Sequence, residues 1–178
     1  WGFYGMDWLT QINFFNRYAN SQVMYVTGAT GTGKSTQVPK LLLYALKAYD
    51  YKEDGKIVCT QPRIPPTVNN ATRIAEELGL VIEEPSNTLN NKIRSDNYFL
   101  QFKHQKDKHM LDKKHLQLKI VTDGTLFEEI KSSPFMKNEV QLGKNTIYTS
   151  KNKYDIIIID EAHEHNKNMD IILTLARN

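Results

Sequence analysis

Four short runs of β-branched and aliphatic residues punctuate the chain: Val23 to Thr27, Ile57 to Thr60, Leu118 to Thr122, and Tyr154 to Asp160 with its four consecutive isoleucines. Runs this short and this continuously apolar predict strands in a sheet covered on both faces. Helical stretches alternate with them, over Thr36 to Tyr49, Val68 to Leu78 with Gly79 as the stop, Leu126 to Lys131, and Met169 to Arg177. That alternation predicts an α/β domain, a mostly parallel, doubly wound sheet with helices on both faces. Ligands of such sheets gather at the carboxyl ends of the strands, where both a Gly-rich loop after Thr27 and an acidic cluster after Ile159 are expected. After Arg63, the run Ile64-Pro65-Pro66 predicts a helix delayed by a turn. The middle, from Glu83 to His115, is polar and dense in charge over Lys103 to Lys114. Its His104, His109 and His115 have neither cysteines nor clustered carboxylates beside them, so a solvated loop or hairpin is expected there and not a metal site.

A chain of 178 residues supports one compact domain and is too short for two of this kind. With 40% hydrophobic and 24% charged residues it is neither disordered nor fibrous in composition. No apolar run approaches the roughly 20 residues that span a bilayer, and Trp1 opens the chain with neither an initiator Met nor a signal-peptide pattern. The expectation is a soluble piece of a longer protein. A net charge of +3 permits a nucleic-acid partner without requiring one. Cys59 is the single cysteine, which excludes an intrachain disulfide, and its place in an apolar run predicts a buried structural thiol. The abundance of Asn, Lys and Ile fits an AT-rich coding genome.

Gly28-Ala29-Thr30-Gly31-Thr32-Gly33-Lys34-Ser35 has the spacing of a phosphate-binding loop, between a predicted strand and a predicted helix. The glycines let successive backbone N–H groups turn toward phosphate oxygens, and the helix start adds its positive end. Lys34 would reach the β and γ phosphates, and the Ser35 hydroxyl would ligate Mg²⁺. Thr36 completes the nucleotide-facing set as the helix begins; Gln37 reads as an ordinary helix-start residue. Asp160-Glu161-Ala162-His163 supplies the acidic element that such a loop needs. Asp160 can hold Mg²⁺ through water, and Glu161, next to the metal, can orient and deprotonate the attacking water. Taken alone, the same four residues also suit a helix start decorated with acids.

In their order along the chain, the loop, Thr60-Gln61-Pro62-Arg63, Thr122-Asp123-Gly124 and Asp160 to His163 resemble the first four signature motifs of the DEAH/DExH RNA helicases of superfamily 2, whose ATP-binding half is RecA-like. Gln37 to Leu43, Asp160 to His165, Asp170 to Ile172 and Ala176-Arg177 are similar to the nucleoside triphosphate phosphohydrolase II group of poxviruses and giant viruses. The resemblance implies an NTP-dependent RNA helicase that uses ATP or other nucleoside triphosphates with Mg²⁺. It also implies a second RecA-like domain in the parent chain, a monomer, and work in the host cytoplasm or the virion. On the same ground, Thr60 to Arg63 would line an RNA groove through backbone amides and the Arg63 guanidinium, with Thr122 and Gly124 further along the strand. His163 would couple the nucleotide site to the second domain, and Arg73 would stack on the nucleotide base. From the residues alone, Thr60 to Arg63 is equally a strand ending in a proline turn, and Thr122 to Gly124 a turn and helix cap. A DNA-directed translocase and a nucleotide switch without unwinding activity also remain open.

Overall fold

A computed structural model describes residues 7–29, 33–52, 54–79, 100–104, 116–164 and 166–177. Four parallel strands form the central sheet: β1 (Lys56–Gln61), β2 (Leu100–His104), β3 (Leu116–Thr122) and β6 (Ile156–Ile159), in the order β2-β3-β1-β6. The apolar runs earn this position because β1 and β3 bury both of their faces, and β6 is half-buried along its length. Along β1, Ile57 and Cys59 enter one core, which also takes Leu118 and Ile120 of β3 and residues of α2 (Lys34–Tyr44) and α3 (Ile64–Glu77). Val58 turns the other way, onto Leu126 and Ile130 of α4 (Asp123–Ser132) and Ile172 of α5 (Lys167–Arg177). Helices therefore cover both faces, as the alternation predicts. Each fully buried aliphatic side chain contributes about 1.5–3 kcal/mol against solvent exposure.

Burial pushes the Cys59 thiol well above its ordinary pKa, with the nearby Asp160 and Asp123 charges adding to the effect, so it is a packed core atom.

Three features depart from the sequence expectation. The extended segment after Val23 is not a strand: it joins no ladder, and Tyr25 is 88% exposed while Met24 alone packs on the core. A continuous apolar, β-branched run gives a segment strand propensity, but a strand exists only where its N–H and C=O groups find a neighbour, and among the described residues β6 pairs with β1 alone. The Gly-rich loop thus does not follow a sheet strand. Second, α3 is not delayed by its prolines. It starts at Ile64 with Arg63 as an extended N-cap, since the first-turn N–H groups have no intrahelical acceptor and Pro65 and Pro66 lose nothing there. Third, the polar middle contributes a sheet strand, β2, ending at His104; His109 and His115 lie outside the described residues.

Two elements were not foreseen. Helix α1 (Trp8–Asn20) is capped by Asp7, whose carboxylate accepts the Thr10 N–H at 2.7 Å, and it sends Phe14 into the core. An antiparallel hairpin, β4 (Lys137–Leu142) and β5 (Asn145–Asn152), turns at Gly143 with φ of 65° and separates α4 from β6.

Candidate nucleotide and nucleic-acid site

Three strand ends meet at one edge of the sheet. Gln61 closes β1 opposite Thr122 of β3, and Thr60 pairs with Ile159, the last residue of β6 before Asp160. The acidic cluster is therefore at the carboxyl edge, as expected, between strands that also carry the Thr60 and Thr122 motifs.

Asp160 is held at three points. Its N–H donates to the Thr60 carbonyl at 3.2 Å, its Oδ1 accepts the Glu161 N–H at 2.9 Å, and its Oδ2 accepts from the Gln61 side-chain amide. Glu161 has a φ of 54°, a left-handed conformation that costs a non-glycine residue on the order of 1 kcal/mol. Its carboxylate meets His163, whose Nε2 lies 3.2 Å from Glu161 Oε2. A short 3₁₀ turn over Ala162–Glu164 follows, closed by the Glu164 N–H on the Glu161 carbonyl at 2.9 Å. The Arg63 guanidinium lies 3.4 Å from Glu164, so the Thr60 to Arg63 segment touches the acidic segment at three residues, Thr60, Gln61 and Arg63. His165 lies outside the described residues.

The two motifs expected to face RNA divide by burial. Thr60 is fully buried and Gln61 is 1% exposed, so both side chains face protein; Pro62 is half-buried and Arg63 is 70% exposed. A strand packed between two neighbours turns its last side chains inward, so of these four residues Arg63 presents the most exposed side chain. Thr122 is the N-cap of α4; its hydroxyl bonds no helix N–H and instead shares a hydrogen bond with the Thr125 hydroxyl at 3.0 Å. Gly124 is half-buried, and a Cβ there would meet only Asn168 at 3.8 Å. Sequence reasoning passed over Asp123 and Asn166. Asp123 is buried, and its Oδ2 accepts from Asn166 Nδ2 at 2.8 Å, while Asn166 Oδ1 caps α5 through the Met169 N–H at 2.8 Å. An aspartate between a strand end and a glycine, with an asparagine three residues before Met169, was the available signal.

The phosphate-loop side is organised separately. Gly33 takes the left-handed conformation, φ 77°, that starts α2. The Lys34 ammonium is held by the Gly28 carbonyl and, at 3.4 Å, by that of Ala29. The Thr36 hydroxyl donates to the Gly33 carbonyl at 3.1 Å, and Ser35 is half-buried on the first turn. Thr30, Gly31 and Thr32 lie outside the described residues. Further along α2, the Gln37 amide donates to Glu77 of α3 at 3.1 Å, and buried Lys40 pairs with the same carboxylate. Arg73 joins this group through Glu77 at 2.9 Å, with its side chain largely exposed. The structure thus ties Arg73 to the loop's helix, and among the described residues no hydrogen bond or ion pair joins Lys34 or Ser35 to Asp160 or Glu161.

Ser35, Asp160 and Glu161, the residues expected to hold a metal, offer only oxygen donors, the kind a hard cation such as Mg²⁺ takes. Glu161, His163 and Glu164 place ligand atoms within 4.8 Å of one another on an exposed face.

A protein family described as the type III restriction enzyme res subunit, ResIII, matches residues 6–177. The chain belongs to the ResIII family. Its RecA-like helicase domain agrees with the parallel sheet covered on both faces. Among similar proteins is one of Acanthamoeba polyphaga mimivirus provisionally named an ATP-dependent RNA helicase, 50% identical over 189 aligned positions, covering 99% of this chain and 11% of that protein. A Caenorhabditis elegans protein, also provisionally named an ATP-dependent RNA helicase, is 35% identical over 156 positions, covering 88% of this chain and 17% of its own length. An ATP-dependent RNA helicase of Borreliella burgdorferi is 35% identical over 158 positions, covering 89% of this chain and 15% of its own. This ResIII chain spans less than a fifth of the length of each. No helix among the described residues is long and apolar enough to cross a membrane.

Proposed function

We propose that this ResIII domain is the first of two RecA-like halves of an NTP-dependent RNA helicase, and that it binds a nucleoside triphosphate between the Lys34 loop and the Asp160–Glu161 segment. The observation that carries the reading is the strand edge where β1 ends between its two neighbours: Gln61 and Thr60 lock Asp160 on one side, Gln61 pairs with Thr122 on the other, and the exposed Arg63 follows two residues on. Acid, strand end and cation converge there, as coupling nucleotide to a nucleic-acid strand requires.

In this reading the Lys34 ammonium exchanges the Gly28 and Ala29 carbonyls for phosphate oxygens, a charge-assisted and stronger set of acceptors. Ser35 and Asp160 would hold Mg²⁺, which would supply positive charge to offset the negative charge on the phosphates. Glu161 takes a proton from the attacking water, and His163, 3.2 Å away, senses that carboxylate and reports it to the second domain. Arg73 stacks on the base; stacking without hydrogen bonds to the base edge tolerates ATP and other nucleoside triphosphates alike. Arg63 with Pro62, and the chain at Thr122 and Gly124, hold the sugar-phosphate backbone of RNA, which carries no sequence information. The mimivirus relative supports a viral parent that works in the host cytoplasm or the virion.

The test is hydrolysis and strand displacement by the full protein with RNA and with DNA of equal length. RNA-stimulated turnover with duplex unwinding is expected. Stimulation by DNA alone, or turnover without strand displacement, would overturn the assignment.

A further inference from the structure

We propose that Gln61 is a positioning residue for Asp160, fixing the carboxylate that holds Mg²⁺ and linking it to the strand end whose next exposed residue is Arg63. The inference rests on the nucleotide-site reading above. Gln61 is the last residue of β1, the strand flanked by β3 and β6, and its side chain is buried at 1% exposed. A primary amide in that position must satisfy its polar atoms inside the protein, because an unpaired buried N–H is costly. Its Nε2 donates to Asp160 Oδ2, while the Glu161 N–H occupies Oδ1. With one donor on each oxygen the carboxylate cannot rotate, and each oxygen keeps a second lone pair for a metal or its water.

The choice of glutamine has a chemical logic. A lysine or arginine would donate as well, but would cancel the charge that attracts a cation. A glutamate would repel Asp160. An asparagine, one methylene shorter, would fall short of Oδ2. Gln61 alone among these anchors the oxygen and leaves the full negative charge in place. Because Pro62 and Arg63 follow directly, and Arg63 also reaches Glu164 at 3.4 Å, movement of this segment is felt at Asp160 within two residues.

The experiment titrates Mg²⁺ against binding of a fluorescent ADP analogue to the full protein, for the wild type and for Gln61→Leu, Gln61→Asn and Asp160→Asn, with melting temperatures recorded alongside. Loss of a group that orients a metal-holding side chain raises the half-saturating Mg²⁺ concentration roughly tenfold to a hundredfold. Gln61→Leu is expected to do this with Mg²⁺-free nucleotide binding unchanged. Gln61→Asn, polar but short, should do the same, and it serves as the deciding variant if Gln61→Leu fails to fold. A folded variant with wild-type Mg²⁺ dependence, or one that loses only melting temperature, overturns the inference while Asp160→Asn still shifts the curve. If Asp160→Asn itself leaves the curve in place, the nucleotide-site reading falls instead.

Discussion

The acidic segment and the phosphate-binding loop, the two halves of the proposed site, are held in different ways. Asp160 sits in a lattice of strand ends, tied to Thr60, Gln61 and its own neighbour Glu161. The Lys34 loop follows a segment outside the sheet; its lysine rests on the loop's own carbonyls, and its helix is anchored through Lys40 and Glu77 to α3. One half is thus preorganised by the sheet and the other by a buried ion pair. Preorganisation matters most where charge develops in the transition state, so the acidic half should be intolerant of small changes in chemistry and the loop half of changes in its helix anchor.

Substitutions separate the two. Glu161→Gln removes the base but keeps shape and the left-handed backbone, and it should lower RNA-stimulated turnover by roughly 10²–10⁴-fold with melting unchanged, measured by phosphate release. Glu77→Leu acts through stability: removing one member of the buried Lys40 pair should cost about 3 kcal/mol in denaturant unfolding, since it leaves an ammonium in a 5%-exposed position without that carboxylate. An unfolding midpoint unchanged by Glu77→Leu would show that the loop helix has another anchor. At the far end of the scale stands the hairpin, where both strands are exposed on both faces. Leu142→Ser, on its 62%-exposed tip, should alter unfolding free energy by no more than about 0.5 kcal/mol.

Acid pH tests the Glu77 anchor together with a second paired carboxylate, Glu129 of α4, which Lys119 and the Tyr154 hydroxyl hold. For Glu77 burial alone would raise the pKa, but hydrogen bonds from Lys40 and Arg73 outweigh it and hold the carboxyl below its ordinary 4.5. In Glu129 burial is likewise overcome, by Lys119, the Tyr154 hydroxyl and Lys153. A depressed folded pKa contributes stability above the unfolded value that is lost as pH falls through the folded one. Unfolding free energy should therefore be level above about pH 5 and fall below pH 4.5, and Glu77→Gln should flatten part of that fall.

The sheet was legible where burial dictates pattern. Ile57 to Thr60, Leu118 to Thr122 and the isoleucines of β6 are strands because a strand covered on both faces tolerates little else. The acidic cluster fell where the strand order puts it. The segment from Val23 to Thr27 has the same composition and is no strand, since composition cannot say whether a ladder neighbour is present. Polar hairpins such as Lys137 to Asn152 carry no burial pattern to read, and α1 hid for a related reason: Phe14 alone is fully buried, with Phe15 and Tyr18 packing only partly on the core and Leu9 and Ile12 exposed. Gln61 was readable as part of a motif but not as an inward-facing amide, because the direction of a side chain at a strand end depends on register with two neighbours.

The central claim is that Lys34 and Glu161 serve one nucleotide, and a double-mutant cycle on hydrolysis by the full protein tests it most directly. Groups that act as a unit in one site give strongly non-additive losses. Lys34→Ala combined with Glu161→Gln is expected to be about as slow as the worse single variant. Losses that multiply, or a Lys34→Ala protein that hydrolyses at the wild-type rate, would contradict the account.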